Sequence, residues 1–161
     1  MKSVVSVIAA GMILCAVPAF AETAGNADTN MGILMEKIKA DKKLLVASNM
    51  ELTEAEGKAF WPLYESYQKK LHKLNDRLGK TISEYADAYN QGKGTVANDT
   101  AKKLIHEAIA VEEEEAKLKH TYADKIGKVL PAAKMARYIQ IENKIRAVIK
   151  AELAKQIPLV Y

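Results

Sequence analysis

Between Thr53 and Gln91 the chain reads TEAEGKAFWPLYESYQKKLHKLNDRLGKTISEYADAYNQ. Apolar residues recur at Phe60, Leu63, Tyr67, Leu71, Leu74, Leu78, Ile82, Tyr85 and Tyr89, always three or four positions apart. The mean step is about 3.6, the period of an α-helix, so the stripe stays on one face of a nearly straight helix. The start of that helix is marked as well: the Thr53 hydroxyl is placed to accept from the Glu56 amide while the Glu56 carboxylate reaches back to the Thr53 amide. At 1.5 Å per residue the segment spans about 58 Å. Pro62 withholds one backbone donor and crowds the carbonyl of Lys58, which predicts a bend between Gly57 and Pro62.

The neighbouring segments follow the same period. Leu34, Ile38, Leu45 and Val46 predict a first helix between Met31 and Asn49. Asn90-Gln91-Gly92-Lys93-Gly94-Thr95 is a loop, and Asn98, Asp99 or Thr100 caps the next helix, whose stripe is Leu104, Ala108, Val111, Leu118, Tyr122, Ile126 and Val129. Pro131 ends it and suits the first turn of a last helix carrying Met135, Tyr138, Ile145, Ile149 and Leu153, closed near Pro158. The prediction is an all-α single domain over residues 31–161: four helices built on a long antiparallel hairpin, with no sheet. Two such long stripes expose more apolar surface than a monomer of this size usually tolerates, so an elongated homodimer is expected over a short four-helix bundle folded back at Pro62 and Pro131.

Ahead of the helices, residues 1–21 read MKSVVSVIAAGMILCAVPAFA. A basic start at Lys2, an apolar run and the pattern Ala19-Phe20-Ala21 predict a signal peptide cleaved after Ala21, and hence export to the periplasm. Residues 22–30 are small and polar and are expected to form a disordered tail. The only cysteine, Cys15, lies in the leader. The exported chain therefore has no disulfide, thiol nucleophile or thiolate metal site. Lysines number 21 and arginines three, which makes the surface soluble and poor in planar forks for bidentate recognition. The formal net charge of +4 is too small to argue for nucleic acid.

Candidate chemistry is sparse. His72 with Asp76 and His120 with Asp124 stand one helical turn apart, the spacing at which two side chains can share a metal ion, although both pairs project away from the apolar stripes, as does His106. Glu115 and Glu142 fall within the stripes, where a carboxylate must be paired, protonated or set at an opening. They read either as a general acid or charge switch, or as buried charge pairs: Arg146 lies one turn beyond Glu142, and Arg137 or Arg77 could meet Glu115. No nucleophile, phosphate loop or second catalytic group accompanies them, so no enzyme activity and no cofactor are expected.

Leu52-Thr53-x-x-Glu56, followed by Phe60-Trp61-Pro62-Leu63-Tyr64-Glu65-x-Tyr67-Gln68, resembles the Spy/CpxP group of small periplasmic helical proteins, whose hallmark is a Leu-Thr-x-x-Gln motif at a helix start. Glu56 stands where that motif has Gln, and Leu130-Pro131-Ala132-Ala133-Lys134 occupies the place of a second copy. The resemblance implies an ATP-independent chaperone or envelope-stress protein, a homodimer holding unfolded clients on a basic and apolar face. Client-facing residues would then include Phe60, Trp61, Leu63, Lys69, Lys70, Lys73 and Lys80. Its zinc-binding branch implies an alternative, a metal-responsive accessory protein. A third is a partner docking on a membrane sensor domain. Arg137-Tyr138-Ile139-Gln140-Ile141-Glu142-Asn143-Lys144 also stands out as a signature, with no chemistry attached to it.

Overall fold

The computed structural model describes residues 40–159. The leader, the tail, and the first part of the expected first helix, with Leu34 and Ile38, lie outside the described residues. The described residues from Lys42 onward belong to one compact unit. Among the described residues there are four helices and no strand: α1 (40–50), α2 (Glu54–Gln91), α3 (Asn98–Gly127) and α4 (Ala132–Gln156).

Each boundary has a local cause. Thr53 caps α2 with a full capping box: its hydroxyl accepts from the Glu56 amide at 3.3 Å, and its own amide donates to the Glu56 carboxylate at 2.8 Å. Lys134 of α4 also donates to that carboxylate, at 2.6 Å, and to the Glu51 carbonyl, at 2.8 Å. Together these hydrogen bonds hold the Glu56 carboxyl below the usual range, with Lys134 the larger cause. Pro62 does not interrupt α2, which is one continuous helix through it. Pro62 and Lys58 are both exposed, so water can bond to the Lys58 carbonyl that the proline leaves without a donor.

The turn into α3 needs glycine at position 92, because a Cβ there would lie 2.0 Å from the Thr95 carbonyl oxygen. Residue 97 is the N-cap of α3, and it is an alanine with no side-chain cap bond, so Asn98, Asp99 and Thr100 are helical rather than capping. Pro131 occupies the N-cap of α4, one residue ahead of the expected first turn.

Pairings within Lys42–Tyr161 define the helix directions. Lys42 and Lys43 of α1 reach Gln68 and Glu65 of α2, while the end of α1 meets its start, so the two run antiparallel. Ser66 meets Tyr122, Arg77 meets Glu107 and Glu114, and Lys103 meets Glu84, which makes α2 and α3 a long antiparallel hairpin. Along α2 from start to end, α4 follows in parallel: Glu56 with Lys134, Gln68 with Glu142, Asn75 with Arg146, and Tyr85 with the Pro158 carbonyl.

The core gathers where all four helices meet. Val46, Met50, Phe60, Tyr64, Tyr67, Leu71, Tyr122, Ile126, Leu130 and Tyr138 form one buried cluster. It is built largely from aromatic rings edge to face, with Phe60 and Tyr138 centred 5.1 Å apart and Tyr67 and Tyr122 5.4 Å apart, an arrangement the ring quadrupole favours. Buried α1 positions are Val46 and Met50, one turn apart, while Leu45 is exposed. That corrects the expected α1 stripe, which took Leu45 with Val46 and left out Met50. Further along the hairpin Leu74, Thr81, Val96, Leu104, Val111 and Glu115 are buried, and Leu78, Ile82, Tyr85 and Tyr89 are half-buried.

Replacing the cap tests this account of the α2 start. Thr53→Ala should lower stability by about 1 kcal/mol in urea unfolding followed by circular dichroism. Thr53→Ser, which keeps the acceptor oxygen, should stay close to the parent.

Candidate functional site

Two buried carboxylates are the chemically distinctive groups, and each is satisfied by partners from other helices. Glu142 of α4 is 3% exposed. Its Oε2 accepts from Lys42 Nζ of α1 at 2.8 Å and its Oε1 from Gln68 Nε2 of α2 at 2.7 Å. Gln68 Oε1 accepts from the same lysine at 2.8 Å, and Gln68 Nε2 also donates to the Tyr138 hydroxyl at 3.4 Å. Glu115 of α3 is 6% exposed. Its Oε2 accepts from Arg146 Nε at 2.8 Å and from Arg146 Nη2, and Arg146 Nη1 donates to Asn75 Oδ1 of α2 at 2.7 Å.

Glu115, Glu142 and Arg146 thus form buried charge pairs, but with different partners from those expected. Arg146 turns sideways to α3 and takes Glu115, leaving Glu142 to face α1 and α2. Arg77 is spent on Glu107 at 3.0 Å and Glu114 at 2.7 Å, an engagement that lowers the Glu114 carboxyl. Arg137 donates to the Asn49 carbonyl at 3.4 Å and lies 3.6 Å from Glu51. Lys42 was not singled out in the sequence, and Gln68 stood out only as the last residue of the aromatic run after the Thr53 box. The signal for Lys42 was its spacing: Lys42, Val46 and Met50 follow at steps of four, which puts the lysine on the buried side of α1.

The same geometry explains the Arg137 to Lys144 signature. Tyr138 and Glu142 are its buried positions, one turn apart, and Ile139 and Ile141 pack against the core on either side. Its chemistry is architectural: one residue fills the aromatic junction and the next collects α1 and α2 through their polar side chains.

Burial around this junction shifts its phenols. Tyr64 is pushed up to about 12, mainly by loss of hydration and then by the Glu142 and Glu65 charges. Tyr67 and Tyr138 move further up, for the same first reason and with the Glu142 charge next. A phenol surrounded by rings and a carboxylate can hold its proton and cannot readily become a phenolate.

The histidine pairs stay apart from all this. His72 Nδ1 lies 3.0 Å from Asp76 Oδ1 and His120 Nδ1 3.3 Å from Asp124 Oδ2, each pair exposed on its own helix, and His106 is exposed on α3. Among the described residues no three His, Cys, Asp or Glu side chains come together to hold a metal ion.

The proposed client-facing set divides. Phe60 is fully buried in the core and makes no surface, because its stretch of the stripe runs into the junction of the four helices. Trp61 and Leu63 are half-buried against that core. Trp61 also lines an open groove of about 580 Å³ with Ala47, Leu52, Gly57, Lys58 and Pro62, and Lys43 Nζ sits 5.4 Å from its ring centre. Lys69, Lys70, Lys73 and Lys80 are exposed on the back of α2. Exposed apolar side chains lie elsewhere: Ile105 (55%) and Ile109 one turn apart on α3, and Val148 (65%) and Ile149 on α4. Among the described residues no helix is long and apolar enough to cross a membrane.

Comparison with protein-family models, with curated proteins and with solved structures gives no match.

The tyrosine shifts carry a pH dependence with a definite sign. A phenol whose folded value lies above its unfolded value of about 10 keeps its proton after the unfolded chain has lost it, so the folded state binds more protons and stability falls as pH rises. Stability should hold below pH of about 10 and then decline by up to about 1.4 kcal/mol per buried tyrosine per pH unit. Absorbance of tyrosinate near alkaline unfolding reports this directly: Tyr64, Tyr67 and Tyr138 should ionise only together with loss of helicity, and Tyr64→Phe should reduce the slope.

Proposed function

We propose that the chain is a periplasmic, ATP-independent chaperone-like protein that holds unfolded or misfolded envelope proteins, acting as a homodimer. The observation that carries this reading is the apolar surface left in water on α3 and α4, with Ile105, Ile109, Val148 and Ile149 all exposed. Large apolar side chains grouped on a soluble helical surface mark places where other chains bind. The open groove beside Trp61 adds a concave site of mixed apolar and polar lining at the α1–α2 junction.

Three further features support the reading. The Leu52-Thr53-x-x-Glu56 box, with the aromatic run after it, resembles the start of the Spy/CpxP helical proteins, and here it forms a complete capping box. The leader-like first 21 residues and a cysteine-free remainder suit an exported protein folded on packing alone. Both buried carboxylates accept hydrogen bonds from side chains of other helices, which suits stabilising roles. Clients would be engaged through apolar contact at the exposed isoleucines and valine, with Phe60 confined to the core near the start of α2.

The test is suppression of aggregation of a chemically denatured client by the chain from Glu22 onward, followed by light scattering. Suppression is expected near stoichiometric ratios. Ile105→Ser with Ile109→Ser, and separately Val148→Ser with Ile149→Ser, should each weaken client binding by about 1 kcal/mol per residue while leaving the melting temperature unchanged. No suppression at excess of the parent chain would overturn the proposal.

A further inference from the structure

Folding concentrates charge that is scattered in the sequence. At about 100° per residue, Lys69, Lys73 and Lys80 fall within about 40° of one another on α2, opposite the buried Tyr67 and Leu71. On α3 the same spacing brings Lys117 and Thr121 together, with Lys128 following in the turn. The hairpin register then sets these two groups side by side. Ser66 and Tyr122 share a hydrogen bond of 2.7 Å, and Lys70 and Lys125 flank the Tyr122 ring from the two helices, with Nζ 5.6 and 4.9 Å from its centre. Lys69, Lys70, Lys73, Lys117, Lys125 and Lys128 therefore share one outer face of the α2–α3 hairpin, all exposed.

None of the six lies within ion-pair distance of a carboxylate among the described residues, whereas Lys42, Lys43, Lys58, Lys80, Lys103, Lys134, Lys150 and Lys155 are all paired. Of the carboxylates nearest in register, Glu114 is held by Arg77 and Asp76 and Asp124 contact His72 and His120, while Glu113, one turn before Lys117, has no cationic partner among the described residues. By the same spacing Asp76 lies about 20° from Lys69, and Glu113 and Asp124 lie about 40° and about 20° from Lys117, so the face carries six lysines against three carboxylates.

We infer that this face docks on an anionic lipid surface. Its cations are ammonium groups only, since all three arginines are committed to internal partners. No planar fork is left to grip one phosphate in a fixed geometry, and mobile point charges suit a diffuse sheet of headgroup charge. Among the described residues the only large apolar side chain exposed next to this face is Val129 at its end, so an unfolded segment would find little apolar contact there. Two antiparallel helices lying side by side present the lysines together to a plane. Each lysine held near an anionic leaflet strengthens attachment about fivefold, and the attraction fades beyond about 8 Å at physiological salt. The choice of lipid over a nucleic acid rests on the proposed export; the charge cluster does not.

The experiment is vesicle co-sedimentation of the chain from Glu22 onward, with phosphatidylcholine alone or mixed with phosphatidylglycerol, at low and high salt. Binding is expected only to the mixed vesicles and should fall as salt rises. Lys69→Gln, Lys70→Gln and Lys73→Gln combined should weaken it roughly 100-fold. Lys93→Gln, Lys102→Gln and Lys144→Gln, which remove equal charge from other surfaces, should leave it within a few-fold, and circular dichroism should match the parent for both triples. Equal binding to neutral vesicles, equal loss in the two triple variants, or tighter binding to an oligonucleotide or a denatured acidic protein than to the mixed vesicles would overturn the inference. Aggregation suppression of a basic client should persist in the Lys69, Lys70 and Lys73 triple, which separates failure of this inference from failure of the chaperone reading.

Discussion

A carboxylate taken out of water must be given partners, and Glu142 receives its partners from two other helices. Lys42 of α1 and Gln68 of α2 both bond to it, and they bond to each other. Without them Glu142, 3% exposed, would be an uncompensated charge beside Tyr138, at a cost of several kcal/mol. The requirement fixes the axial position of α1, because only one register brings Lys42 to the carboxylate while Val46 and Met50 enter the aromatic junction. It also fixes the rotation of α4, which must present Tyr138 and Glu142 to the same side. Apolar packing alone would tolerate several registers of a short helix on an aromatic surface; the polar triad selects one.

Glu115 does the same between the other helices. Arg146 crosses from α4 to α3 and continues to Asn75 of α2, so one guanidinium ties three helices about a turn beyond the first triad. The two arrangements lie on either side of a lysine and arginine economy that runs through the whole protein. Its three arginines, the residues best able to hold two acceptors at once, all bond to partners within the chain, at Glu107 and Glu114, at Glu51 and Asn49, and at Glu115 and Asn75. Apart from Lys42 and Lys134, which are half-buried against Glu142 and Glu56, lysine is left largely for the surface, where a strongly hydrated charge on a flexible stem suits a broad electrostatic field.

Much of the architecture was legible in the sequence because it depends on short-range spacing. The Thr53 box, the stripe from Phe60 to Tyr89, the Gly92 turn and the break at Pro131 each rest on residues within one or two helical turns. The buried setting of Glu115 and Glu142 was legible for the same reason. Their partners were not: which of Arg77, Arg137 and Arg146 meets which acid depends on how far one helix slides along another, and spacing within a helix carries no record of that. Phe60 illustrates a second limit. A residue on an apolar stripe is client-facing or core according to whether another helix covers it, and Tyr138 of α4 covers it here. The clustering of the six lysines was likewise invisible, since three come from α2 and three from the last turns of α3 and the turn after it.

The central structural claim is that the Glu142 triad couples α1 to the rest of the bundle. A double-mutant cycle with Lys42→Met, Glu142→Leu and the pair together, read by urea unfolding, measures that coupling. The account predicts that each single change is strongly destabilising and that the double variant recovers much of the loss, with a coupling energy of about 1 to 3 kcal/mol. Additive losses, with no recovery in the double variant, would contradict it.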